Sequence, residues 1–162
     1  LRNFEYSVLL YDPFVQVGDP DFAGVELVEL DVLMARSDVV SIHAPSLPST
    51  RGMIGARQLK LMKDGASFIN TARGALIDEA ALVAELQTER IFGVIDVTDP
   101  EIPPADSPLF TLPNVFLTPH VAGAIGTERL RLGLMAVEEI ERFIEGKAML
   151  YEVQPELLER LA

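Results

Sequence analysis

The chain has 162 residues, 13 Lys and Arg against 25 Asp and Glu for a formal net charge of -12, 49% hydrophobic residues and no Cys. This is the composition of a globular domain; it excludes a disulfide scaffold and, with only two His, a Cys/His zinc site. The acidic balance opposes phosphate backbones and anionic membranes, and no apolar run approaches the roughly 18 residues of a membrane span. A cytoplasmic protein is expected, with no nucleic-acid or membrane partner and no metal.

In chain order, the first apolar run, 8–11, reads as a buried strand, and 24–27 as a weaker one. A helix over 31–37 leads to a strand at 39–42, and a helix over 56–62 to a strand at 66–69. Asp78 is placed to cap a helix over 78–88, in which Leu82, Val83 and Leu86 form one apolar stripe. Strands at 92–97 and 115–117 flank a Pro-rich loop, 102–108. The last helix carries Leu130, Leu134, Val137, Ile140 and Ile144 on one face, with Thr127 to cap its start and Gly146 to end it. That stripe reads as core or subunit contact.

Short Val- and Ile-rich runs alternating with helices predict an α/β fold, a doubly wound parallel sheet with right-handed crossovers. Residues 1–146 form the domain in this reading, and 147–162 a tail that docks elsewhere.

Open α/β sheets bind ligands beyond the carboxyl ends of their strands. Those positions here hold Asp12-Pro13, His43-Ala44-Pro45, Asn70-Thr71-Ala72-Arg73-Gly74, the segment 96–101, and Thr118-Pro119-His120. Asp12 sits where a dinucleotide fold places the acid that accepts from the adenosine ribose, although an Asp-Pro turn is the plainer reading. A glycine fingerprint should lie about 20 residues before such an acid, but only 11 residues precede Asp12, and the chain contains no Gly-x-Gly-x-x-Gly. Either the fold does not bind nucleotides, or the chain begins after its first strand and phosphate loop.

Arg73, between a strand and a helix, has the planar fork to hold a carboxylate through two parallel hydrogen bonds, or to make a surface ion pair. Glu101 follows 28 positions later and His120 another 19. A carboxylate and an imidazole on adjacent loops can form an acid/base pair. His43 reads either as a strand-end His packed beside Pro45, the favoured view, or as a wall of an adenine pocket.

Together these segments resemble the D-isomer-specific 2-hydroxyacid dehydrogenases, the family of phosphoglycerate and hydroxypyruvate/glyoxylate reductases. The matching words are Val8-Leu9-Leu10-Tyr11-Asp12-Pro13, Ser37-Asp38-Val39-Val40-Ser41-Ile42-His43-Ala44-Pro45, Thr50-Arg51-Gly52-Met53-Ile54, the string from Ile69 to Gly74 with Asp78-Glu79, and Leu117-Thr118-Pro119-His120. They run in family order over nearly the whole chain and are specific as a set.

The resemblance implies a Rossmann-like NAD-binding domain that lacks its first strand and glycine loop. It assigns Arg73, Glu101 and His120 as catalytic residues, with Asp99 the fallback carboxylate if the register of Glu101 is displaced. It further implies that Asp12 holds the NAD ribose, that Thr71, Ala72, Arg73, His120, Ala122 and Gly123 line the nicotinamide half, and that Asp96 orients the carboxamide. Two positions depart from the family: Thr98 replaces a common aromatic residue, and Ile102 a common Pro. A small 2-keto or 2-hydroxy acid is the implied substrate and a homodimer the implied assembly. A corepressor-type module that senses NAD without turnover is the alternative. Without its phosphate loop, the chain alone is expected to be inactive and to bind NAD poorly.

Overall fold

Each predicted strand forms. In a computed structural model that describes residues 4–157, six parallel strands lie in two sheets. β1 (Val8–Leu10) pairs with β2 (Val25–Leu27), while β3 (Val39–Ile42), β4 (Ser67–Asn70), β5 (Phe92–Ile95) and β6 (Val115–Leu117) follow in that order in the second sheet. The weaker predicted strand, β2, is real and pairs with β1 along its full length. Register is continuous across the larger sheet, Val39 opposite Ser67 and Ser67 opposite Phe92, so the strand ends align.

Parallel neighbours need crossovers: α2 (Ala56–Leu61) carries the chain from β3 to β4 and α3 (Glu79–Leu86) from β4 to β5, while α1 (Leu30–Arg36) leads from the smaller sheet into the larger. Asp78 caps α3 as the sequence suggests, its Oδ1 accepting the Ala81 N–H at 3.0 Å. Burial alternates along the strands. Val40, Ile42, Phe68 and Ile95 are buried in one core with Met34 of α1, Leu59 of α2, and Leu82 and Leu86 of α3. The alternate residues face away from that core: Val39, Phe92 and Phe116 are exposed, Phe116 to 65%. The apolar character of both strand faces is therefore used on one face among the described residues.

Below the sheet, Arg90 closes the turn into β5. It donates to the carbonyls of Leu59 (2.9 Å) and Met62, and pairs with the buried Glu85 at 2.5 Å and with Asp64 at 3.2 Å.

The long helix α4 (Thr127–Ile144) departs from expectation in two respects. Gly126, not Thr127, is its N-cap, because the chain enters with Gly126 at φ 54° and Thr127 is already helical. The stripe is not core within this chain: Leu130 is 66% exposed, and Leu134, Val137, Ile140 and Ile144 are exposed too. The other end forms as read. Gly146 takes φ 67°, its N–H bonds Phe143 O (3.2 Å), and Lys147 N–H bonds Arg142 O (2.9 Å), the paired closure of a Schellman motif. Part of the expected tail folds back on α4, where Glu139 accepts the N–H groups of Leu150 and Tyr151 and Arg142 donates to Ala148 O. Residues 158–162 of that tail lie outside the described residues.

Candidate active site

The carboxyl ends of β4, β5 and β6 carry three loops that meet in one cleft. At the end of β4, the buried Asn70 shapes the first loop from within: its Oδ1 accepts the Ala72 N–H (3.1 Å) and its Nδ2 donates to Arg73 O (3.0 Å). Thr71 and Ala72 are half-buried in this loop, while Arg73 is exposed, its Nη1 donating to Ala72 O at 2.7 Å.

Asp96, directly after β5, organises the third loop. It is only 3% exposed, and its carboxylate accepts three hydrogen bonds: Oδ1 from Thr118 Oγ1 (2.5 Å) and Val121 N–H (2.8 Å), and Oδ2 from Ala122 N–H (2.9 Å). Its carbonyl accepts the His120 N–H at 2.9 Å. Burial pushes the Asp96 carboxyl up, but those three donors, with a smaller contribution from His120, outweigh it and hold the group below its ordinary value. The staple allows His120 to sit at φ 53°, a left-handed conformation uncommon outside Gly.

The second loop, 96–101, brings the carboxylate. Glu101 Oε1 lies 2.8 Å from His120 Nδ1. A carboxylate accepts only, so in this contact Nδ1 carries the donated proton. Glu101 is the partner of His120, whereas Asp99 is engaged elsewhere, in an ion pair with Arg51 at 2.9 Å. Thr98, the departure from an aromatic residue, donates its hydroxyl to Glu101 O (3.0 Å) and closes the turn that presents Glu101. Ile102, the other departure, is exposed.

Arg73, Glu101 and His120 line one cleft of about 270 Å³ together with Ser46, Gly74, Ala75, Thr98 and Asp99. A larger hollow of about 690 Å³ lies at the opposite ends of the strands, around Arg90, Glu85 and Lys60, away from these residues. Among the described residues no group of His, Cys, Asp and Glu has the makings of a metal site, and no helix is long and apolar enough to cross a membrane.

Of the expected residues, Thr71, Ala72, Asp96, Ala122 and Gly123 are not among those that line the cleft, and neither are Asp12 and His43. Asp12 follows β1 in the smaller sheet, where its Oδ1 accepts the Phe14 N–H (2.8 Å); the local turn and a carboxylate at a strand's carboxyl end coexist. His43 is exposed rather than packed, its Nε2 2.8 Å from Ser41 Oγ. Sequence reasoning missed Ser46, and assigned no role to Asn70 or Thr118. An Asn ending an apolar strand two residues before a loop Ala was a usable signal, because Asn side chains bond backbone two residues on.

The family expectation is met. The chain belongs to the D-isomer specific 2-hydroxyacid dehydrogenases, whose NAD binding domain matches residues 1–122. It is 40% identical over 146 residues to the D-3-phosphoglycerate dehydrogenase of Archaeoglobus fulgidus, covering 90% of this chain and 28% of that protein. It is 43% identical over 145 residues to the glycerate dehydrogenase of Methylorubrum extorquens, covering 87% and 43%. The crystal structure of D-lactate dehydrogenase with NAD+ from Lactobacillus jensenii superposes with a TM-score of 0.79 at 29% identity, covering 91% of this chain and 48% of that one. The chain thus spans less than half the length of each.

Proposed function

We propose that this chain is the catalytic and NAD-binding portion of a cytoplasmic oxidoreductase that interconverts a small D-2-hydroxy acid and its 2-keto acid, of the hydroxypyruvate, glyoxylate or 3-phosphoglycerate type. The observation that carries the reading is the 2.8 Å contact between His120 Nδ1 and Glu101 Oε1 in a cleft shared with Arg73. A module that only senses NAD has no use for a proton donor held by a carboxylate. Family resemblance supports a homodimer, with 1–146 as the NAD-binding domain and 147–162 docking on a separate substrate domain.

The residues present fit a dinucleotide. Gly123 has open space where a side chain would stand, so the backbone is accessible to a flat ring. Asp96 uses three of the roughly four acceptor positions of a carboxylate, leaving one for a carboxamide. Thr71, Ala72, Arg73, His120, Ala122 and Gly123 would line the nicotinamide half, and Asp12 would accept from the ribose hydroxyls. When bound, NAD(H) supplies or accepts the hydride.

The chain's own residues do the rest. Arg73 clamps the substrate carboxylate and polarises the neighbouring carbonyl oxygen, which is positioning joined to electrostatic stabilisation of the developing alkoxide. During reduction His120 donates its Nε2 proton to that oxygen; during oxidation Nε2 takes the proton from the hydroxyl. Glu101 holds the ring so that Nε2 points into the cleft. NADH oxidation driven by hydroxypyruvate or glyoxylate, assayed on the protein that carries this chain, tests the reading. His120→Gln is expected to slow hydride transfer about a hundredfold or more; a rate within about threefold of the parent removes His120 as the donor.

A further inference from the structure

Two sequence words take no part in the chemistry above, Thr50-Arg51-Gly52-Met53-Ile54 and Asp78-Glu79. Both converge on a single peptide. Residues 52–54 are strapped beside 75–78 by three backbone hydrogen bonds: Gly52 N–H to Ala75 O (2.9 Å), Ile54 N–H to Leu76 O (3.1 Å) and Asp78 N–H to Ile54 O (2.9 Å). From this strap Arg51 reaches the Asp99 carboxylate at 2.9 Å. Glu79, the first residue of α3, accepts the Asp99 N–H on Oε2 at 3.0 Å.

The Thr98–Asp99 peptide itself lies on Gly74. A Cβ there would stand 2.1 Å from Thr98 C, 2.2 Å from Thr98 O and 2.6 Å from Asp99 N, distances at which backbone must move. Gly74 directly follows Arg73, and Asp99 is two residues before Glu101. One peptide therefore registers the Arg73 loop against the loop that holds His120. Its two anchors are unequal. The Arg51–Asp99 pair has side chains 68% and 41% exposed and contributes little alone, whereas a carboxylate accepting a backbone N–H is the stronger, directional bond.

We propose that Glu79 is a positioning residue: by holding the Asp99 N–H it seats the Thr98–Asp99 peptide on Gly74 and sets Glu101 at the distance that fixes the Nδ1–H tautomer of His120. The inference rests on Glu101 and His120 being the reaction's acid/base pair, but its readout does not depend on turnover. The chain has two His, so ¹⁵N-histidine NMR of the full chain at about pH 9, where an ordinary imidazole is neutral, resolves both rings. His43, bonded to Ser41, is the internal reference.

The parent should show His120 as the Nδ1–H form. Glu79→Ala should move its tautomer ratio about fivefold or more toward Nε2–H, a change of about 1 kcal/mol, while Glu79→Gln, which keeps an acceptor oxygen, restores it. The proposal is overturned if Glu79→Ala leaves the ratio unchanged, if Gln fails to restore it, or if His43 shifts in step with His120. Keto-acid reduction, assayed on the protein that carries this chain because the chain alone is expected to be inactive, separates the two levels. A His120 shift in a protein without turnover leaves the positioning role standing and removes the proposed reaction; turnover with an unmoved ratio does the reverse.

Discussion

Asp96→Asn changes one atom and tests how the loop bearing His120 is held. The three donors on the buried carboxylate are Thr118 Oγ1, Val121 N–H and Ala122 N–H, split between two oxygens. An amide keeps one oxygen and turns an NH₂ toward a donor, so at least one bond is lost, one buried donor is stranded, and the remaining bonds lose their charge. With about 1.5–3 kcal/mol for the hydrogen bond lost from a charged group and about 1–3 kcal/mol for the buried donor left unpaired, the substitution should cost about 2.5–6 kcal/mol at neutral pH. The pH dependence follows from the lowered carboxyl. Its stabilising contribution is complete above the unfolded value of about 4 and is lost as pH falls through the lower folded value. Parent and variant stabilities should therefore be far apart at pH 7 and converge in acid. Urea unfolding followed by far-UV circular dichroism at a series of pH values measures both curves. A constant gap from neutral to acid pH, or a difference under about 1 kcal/mol at pH 7, would refute the account of Asp96 as an ionised staple.

Arg90→Ala strands Glu85, whose side chain is 9% exposed, and frees the carbonyls of Leu59 and Met62; denaturant unfolding should show a loss of about 3 kcal/mol or more. Arg90→Lys should recover only part of it, because one ammonium cannot span the carboxylate and both carbonyls. NAD should be preferred over NADP, since Asp12 repels a 2′-phosphate; at about 4 Å that repulsion is worth about 1–4 kcal/mol. Asp12→Ala should erase the preference in cofactor-binding titrations, and equal affinities in the parent would remove Asp12 from the ribose site.

The strands, most helix positions and the three residues that meet in the cleft were legible in the sequence. Apolar runs report burial within a few neighbours, which is why β3 and β6 were legible to the residue and why Asp78 was recognisable as a cap. Arg73, Glu101 and His120 were legible because each ends or follows a strand within words specific to one family. What the tertiary structure decided involves destinations. Glu101 and Asp99 are carboxylates two residues apart, and only the turn closed by Thr98 sends one to His120 and the other to Arg51. Asp96 read as a cofactor contact alone; its further place as the staple of the His120 loop comes from three donors more than 20 positions away in sequence. Periodicity in α4 shows a face that favours burial but carries no information on its partner, so its exposure here was invisible in the pattern. Local signals encode what each segment favours; which groups satisfy it is set by long-range packing, which no window of sequence contains.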